Sequence, residues 1–240
     1  MSLSDRIGTH FFSRLVASPR GRAFLFSFMI DAEENDEGGF DELLGQIADP
    51  VVQKMVRTHR DDERRHARVL RECLARAGFE EVIVPPQLRY VDCLDRLDRL
   101  VGGGFRHGWV TEGAVGVMKI YALLQVLEER GVEKFTLIAR ALRPVDPSSA
   151  RVVEEIVADE RRHVRYAEAI GRRYAPDDAT LRRALRESRR IEARACAEHT
   201  LRFTRFALQG DLLQLGLLER LGWSALAALT LPPQQRAIRI

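Results

Sequence analysis

The chain has 240 residues, enough to bury a substantial core as one large domain or one domain with an appendage. Charged residues make up 30% and hydrophobic ones 45%, which excludes disorder over most of the length and suits a helix-rich globular protein. The formal charge of +3 comes from arginines interleaved with Asp and Glu, so no nucleic-acid partner is expected.

The first 17 residues carry Arg6 and Arg14 around short apolar pieces, and Arg20 and Arg22 follow. With neither a long apolar stretch nor a small-residue cleavage site, they do not read as a signal peptide and are taken as an N-terminal segment. Ser18-Pro19 is a helix start, and Phe26, Met29, Ile30, Glu33, Phe40, Leu43 and Leu44 recur at helical spacing to about Ile47, with Gly38-Gly39 as a weak point. Asp49-Pro50 repeats the start signal for a second helix to about Ala77, stopped by Gly78. These two helices are expected to form an antiparallel hairpin.

Residues 79 to 110 hold Pro85-Pro86, a short amphipathic stretch (Leu88, Val91, Leu94, Leu97, Leu100) and glycines 102 to 104, a long crossover rather than a tight turn. A third helix is expected over about Thr111 to Leu142. Asp146-Pro147 opens a fourth that ends near Tyr174 and Pro176. Two more follow at about 179 to 208 and 211 to 229. The first of them carries the densest basic run, Arg182 to Arg194, which alternates with apolar and acidic residues and reads as a solvated face. The second, Leu212 to Leu229, is rich in Leu and Ala but broken by Glu219, Arg220 and Gly222, so packing on the bundle or on a second copy in a homodimer is expected rather than membrane association. Only Glu81 to Val84 is β-rich. The fold class expected is all-α, divided as 1–17, a four-helix unit over 18–176, and a C-terminal helical extension over 177–240. No segment is long and apolar enough to span a membrane. The scattered Cys73, Cys93 and Cys196 indicate neither a disulfide framework nor a thiolate zinc site, and fit a reducing cytoplasm.

The informative feature is an internal repeat at an offset of 97. Asp49-Pro50 matches Asp146-Pro147, and Asp62-Glu63-Arg64-Arg65-His66 matches Asp159-Glu160-Arg161-Arg162-His163. Each Glu lies 14 residues after its capping Asp, so the two helices present the same group at the same height. Residues three apart share a helix face, so Glu63 with His66, and Glu160 with His163, can converge on one ion each. A carboxylate oxygen and an imidazole nitrogen suit iron, manganese or zinc. Asp62 and Asp159 sit four residues before the histidines, placed to accept the proton of the non-ligating ring nitrogen. One Glu-x-x-His in so charged a chain is expected by accident, whereas two in matched register are not.

Counting back across the first hairpin by the distance that Glu63 lies forward reaches Glu33 or Glu34. Glu33 shares the seam of Met29, Ile30 and Phe40 and is preferred. The same count before Asp146 reaches Glu128 or Glu129, and Glu128 shares a stripe with Tyr121, Leu124, Val132 and Phe135. Four carboxylates on apolar seams are costly unless cations neutralise them, and two divalent ions do so. One Glu from each of two helices plus Glu-x-x-His from each of the other two is a di-iron or di-manganese arrangement.

In Glu33, Asp62-Glu63-x-x-His66, Glu128 and Asp159-Glu160-x-x-His163, over about residues 19 to 176, the sequence resembles the ferritin-like di-iron carboxylate superfamily, its rubrerythrin-like members and its O2-activating oxidases and oxygenases. The Asp-Glu-x-x-His form is similar to that of bacterial multicomponent monooxygenases and the ribonucleotide reductase small subunit. The run from Asp159 to Ala167 resembles a stretch of aldehyde-deformylating oxygenases. The rubredoxin-type cysteine site of rubrerythrins proper is missing. The resemblance implies a ferritin-like four-helix bundle holding two iron ions (Fe/Fe, with Mn/Fe as the alternative) through Glu33, Glu63, His66, Glu128, Glu160 and His163. It implies reaction with O2 or peroxide, a small organic substrate and an electron donor. Two other readings stand beside this oxidase or oxygenase: a ferroxidase or iron- and peroxide-handling protein, and a non-catalytic helical interaction module with structural metal.

His59 lies seven residues before His66 on nearly the same face, but its repeat equivalent is Ile156, so it reads as a core histidine or one that supports the ligands. Tyr121 and Tyr166, a turn or two from the proposed ligands, are candidates to pass electrons or protons, against a purely structural aromatic role. His10, His107 and His199 carry no assignment.

Overall fold

A computed structural model describes residues 3–35, 37–94 and 113–230. It is all-helical, with no strand among the described residues. The helices are α1 (Leu3–Ala17), α2 (Pro19–Asn35), α3 (Glu37–Gln46), α4 (Pro50–Arg76), α5 (Gly113–Leu142), α6 (Pro147–Tyr174), α7 (Asp178–Gln209) and α8 (Leu217–Thr230). Between α4 and α5 the described chain is extended over 79–85, makes a 3-10 turn at Pro86–Leu88 and becomes helical again over 90–94. The Glu81 to Val84 stretch thus forms no strand. Leu97, Leu100, the glycines 102 to 104, His107, and residues 111 and 112 of the expected third helix fall outside the described residues.

The helix starts form as the sequence indicates. Asp49 accepts hydrogen bonds from the Val51 and Val52 amides at 2.9 and 3.4 Å, and Asp146 accepts one from the Ser149 amide at 3.0 Å. Each satisfies donors that a helix N-terminus otherwise leaves free, and the following proline has no amide to satisfy. The helix expected over 19–47 is described as α2 and α3, on either side of Asp36, which lies outside the described residues. Within the N-terminal segment, Leu3–Ala17 forms α1. Phe11, Leu15 and Val16 of α1 are buried in the same cluster as Phe24, Ile138 and Phe203, where a short apolar helix gains from tertiary packing what it lacks in length.

α2 pairs with α4, α5 with α6, and α4 with α6, while α1 and α7 both lie against α5. Contacts between α4 and α6 run antiparallel: Asp62 meets Arg162, and Arg65 meets Asp159. The interior is layered along the helices. At one end Met29, Ile30, Ala67, Leu70, Leu142, Val153 and Ile156 pack together. At the other, Phe40, Val52, Val56, Val117, Tyr121, Ala167 and Ile170 do so. Between these apolar layers lies a belt of buried Glu and His. No helix among the described residues is long and apolar enough to cross a membrane. All three cysteines are free thiols.

The outer helices are fastened at particular points. Glu192 of α7, almost fully buried, receives Arg130 of α5 through Nε and Nη2 at 2.7 and 3.0 Å and the Tyr90 hydroxyl at 2.7 Å. His199 donates from Nε2 to the Leu88 carbonyl at 2.9 Å and packs against Phe28, Tyr90 and Phe203. At Gly21 the backbone of α2 approaches two others so closely that a Cβ would lie 2.2 Å from the Leu15 carbonyl oxygen and 2.3 Å from that of Leu212.

Two outcomes follow from these contacts. Gly21→Ala should lower stability by about 1–3 kcal/mol, the usual cost of overpacking, read as a lower urea midpoint at unchanged slope. Burial pushes the His199 imidazole down from 6.5 to about 4. Between these values the unfolded chain binds more protons than the folded one, so folded stability falls as pH drops through this window. The stability difference between wild type and His199→Gln, whose amide keeps a donor without titrating, should therefore shift against the wild type from pH 6.5 to pH 4 in parallel denaturation series.

Candidate metal centre

Each of the four inner helices contributes to the belt. α2 brings Glu33, α4 brings Glu63 and His66, α5 brings Glu128, and α6 brings Glu160 and His163. All six are buried, and His66 and His163 are 0% exposed. Their neighbours Glu34 and Glu129 face outward: Glu34 pairs with Arg71 at 2.6 Å, and Glu129 with Arg189 at 3.3 Å. The seam argument that chose Glu33 and Glu128 therefore matches where the side chains lie.

The two repeats meet with near two-fold symmetry. His66 Nδ1 lies 3.1 Å from Glu33 Oε2, 3.8 Å from Glu63 Oε2 and 3.4 Å from Glu160 Oε1. His163 Nδ1 lies 3.4 Å from Glu63 Oε1, 3.4 Å from Glu160 Oε2 and 3.8 Å from Glu128 Oε2. Glu63 and Glu160 thus each show one oxygen to either histidine, a bridging disposition, while Glu33 and Glu128 stand at the outer ends. Glu33, Glu63, His66 and Glu160 form one metal-capable set and Glu128, Glu160 and His163 another, with the donor atoms of each set within 4.8 Å of one another.

The donor chemistry fits divalent metal ions. Two atoms each about 2.1 Å from a common ion are roughly 3 Å apart at a right angle, close to the nitrogen to oxygen separations found here. His163 Nδ1 is buried without a hydrogen-bond partner among the described residues, facing carboxylate oxygens just beyond hydrogen-bonding geometry. The opposite ring atoms are fixed. His66 Nε2 donates to Asp159 at 3.3 Å and His163 Nε2 donates to Asp62 at 3.2 Å. An ionised carboxylate only accepts, so each pair keeps a proton on Nε2 and leaves Nδ1, facing the belt carboxylates, as the nitrogen that would ligate on losing its own proton.

These supporting pairs cross between helices, which corrects the same-helix pairing expected from spacing. Asp and His are four residues apart, about 6 Å along the axis, and each residue type occupies the same position in both repeats. When two such helices run antiparallel, the Asp of one comes level with the His of the other. Arg65 and Arg162 complete the arrangement. Arg65 pairs with Asp62 at 3.2 Å and also with Asp159, and Arg162 pairs with Asp62 at 2.7 Å and also with Asp159. Against the effect of burial, the two guanidinium groups and His66 hold Asp159 down to about 2, and Asp62 is lowered in the same way by Arg162, His163 and Arg65. The arginine in the third position after each Glu-bearing Asp was legible as part of the repeat, but its role was not.

Without metal, protons balance the belt. Burial and then the charge of Glu63 push Glu33 well up, and burial and then Glu128 do the same to Glu160. Although burial favours the neutral acid, hydrogen bonds with Glu33, His59 and His66 hold Glu63 well below its ordinary range, and His59 with other partners does so for Glu128. Burial opposes charge on His163, yet Glu128 and Glu160 raise it to about 11. Divalent ions bound here would replace these protons as the neutralising charge.

His59 lies inside the belt. Its Nε2 is 2.8 Å from Glu63 Oε1 and 3.3 Å from Glu128 Oε1, and its ring centroid is 3.9 Å from that of His163. Tyr166 meets the rings of His59 and His163 edge to face, at 5.2 and 5.7 Å, and its buried hydroxyl has no partner among the described residues. Tyr121 is fully buried in the layer with Phe40 and Val117, close to Gly171 and Tyr174. It lies toward the far end of that layer rather than beside the histidines, so of the two tyrosines only Tyr166 touches a ligand-bearing ring. His10 pairs with Glu219 at 3.2 Å and stacks on Trp223, away from the belt.

Comparison of the chain with protein-family profiles, curated proteins and solved structures finds no match in any of the three.

The crossed support has a measurable signature. Asp62→Ala should weaken divalent-metal binding about 10–100-fold through His163, and Asp159→Ala through His66. In calorimetric titrations, Asp62→Ala and His163→Ala should be strongly non-additive, whereas Asp62→Ala and His66→Ala should come closer to adding.

Proposed function

We propose that this chain is a ferritin-like dimetal carboxylate protein that binds two iron ions, or one manganese and one iron, and works as an oxidase or oxygenase on a small organic substrate. The observation that carries the reading is the reciprocal placement of Glu63 and Glu160, each with one oxygen toward His66 and the other toward His163. That is the disposition two adjacent ions require of bridging carboxylates, with Glu33 and Glu128 as terminal ligands.

Bound iron would supply redox chemistry with O2 or peroxide. The protein contributes geometry and dryness. Asp62 and Asp159 hold the imidazole rings in the tautomer that offers Nδ1, and the arginines keep both aspartates ionised at any physiological pH. The apolar layers on either side exclude water from the belt. On the α5 side Gly131 packs beside Glu160, where a Cβ would lie 3.7 Å from Oε2, at ordinary van der Waals contact.

An oxidase or oxygenase is favoured over a ferroxidase by the half-exposed Arg65 and Arg162. They place cations over the aspartate side of the site, where a path for incoming Fe(II) would call for uncompensated acidic groups. Anaerobic loading with Fe(II) should give two ions per chain, and Glu63→Ala or Glu160→Ala should abolish tight binding of both. Fewer than one ion per chain, unchanged by these substitutions, would sink the reading. After admission of O2, Fe(II) oxidation should stop once the bound pair has reacted. Continued turnover of excess Fe(II) would instead identify a ferroxidase.

A further inference from the structure

The near two-fold symmetry of the belt fails at one position. The repeat equivalent of His59 is Ile156, which packs in the apolar layer at the α2 end of the site, whereas His59 stands among the donors at the α5 end. Its polar contacts in the protein are all through Nε2, to Glu63 Oε1 and Glu128 Oε1. On its other side the ring meets Phe40 at 4.4 Å and Tyr166 at 5.2 Å, and Nδ1 is buried with no partner among the described residues. A histidine serving only to support another ligand would be expected to anchor its remote nitrogen on a carboxylate or carbonyl, as His66 and His163 do through Asp159 and Asp62. His59 instead directs its one engaged nitrogen into the belt, and with Glu63 and His163 it forms a third set whose donor atoms lie within 4.8 Å of one another.

We propose that His59 is a seventh metal ligand, giving Nε2 to the ion shared by Glu128, Glu160 and His163, so that the two metal positions are chemically unequal. The inference rests on the dimetal reading above. The position at Glu33 and His66 has one nitrogen among oxygen donors, and the position at Glu128 and His163 has two. Imidazole favours the later divalent metals over manganese, so the nitrogen-rich position fills first with Fe(II) or Co(II), and the oxygen-rich one is the place that tolerates Mn(II). The residue that makes the difference is His59, four residues before Glu63 on the same helix.

Co(II) is the probe. The full chain, titrated anaerobically with Co(II) in a calorimeter, should take up two ions in two resolved steps. His59→Ala should weaken one step about 10-fold or more and leave the other in place. Each ligating imidazole keeps one ring N–H, strongly shifted in the proton NMR spectrum by paramagnetic Co(II). The wild type should therefore show three exchangeable resonances of this kind, from His59, His66 and His163, and His59→Ala should show two. Because the wild-type spectrum alone counts the ligating rings, the test survives even if the variant folds poorly. Two bound Co(II) with only two such resonances, or two binding steps unchanged in a folded His59→Ala, would overturn the proposal while leaving the dimetal reading intact. Fewer than two Co(II) in the wild type would remove that reading and this proposal with it.

Discussion

Four glutamates buried at one level between four helices dominate the design of this protein. An unpaired carboxylate loses several kcal/mol of hydration on burial, and four close together also repel one another. The surrounding structure reads as the means of tolerating that cost. His59, His163 and bound protons balance the charge in the absence of metal, and apolar layers above and below isolate the belt. The Asp and Arg groups at its edge keep the imidazole rings from turning. A site so arranged is predisposed toward divalent cations because they neutralise several carboxylates at once without adding bulk.

The antiparallel register of α4 and α6 converts one short sequence motif into a two-sided centre. The common helix starts at Asp49 and Asp146 place Glu63 and Glu160 at equal depth. Reversal of direction then makes each helix supply the partner that the other lacks. Within the centre the charged quartet of Asp62, Arg65, Asp159 and Arg162 joins the two helices directly above the histidines. Isolated surface ion pairs contribute little, but a half-buried network whose members each have two partners also fixes orientation.

Much of this was legible in the sequence because helix starts and repeats are local signals. Asp49-Pro50 and Asp146-Pro147 located two helices, and the offset of 97 located four of the donors. The apolar seams distinguished Glu33 from Glu34 and Glu128 from Glu129 because a helix has one inward face. What could not be read was whatever depended on how helices meet. The crossing of Asp62 to His163 follows from antiparallel pairing, which spacing on a single helix does not contain. His59 looked like a supporting residue because its repeat partner is apolar, and only the packing of α4 against α6, with Glu128 reaching in from α5, shows it among the donors. α1 was not read in the sequence, since the burial of Phe11, Leu15 and Val16 depends on Ile138 and Phe203, which lie far away in sequence.

The fastening of α1 has a consequence for how the chain acquires its structure. The Gln214 amide donates to the Arg14 carbonyl at 3.0 Å, Arg14 reaches Glu219 across 205 residues of sequence, and Gly21 is wedged against Leu212. During synthesis α1 emerges about 200 residues before these partners. Contacts of such separation form late, because the intervening chain must be ordered before they repay its entropy. Phe11, Leu15 and Val16 are therefore an apolar surface that stays uncovered on the nascent chain until Phe203 and Leu212 have been made.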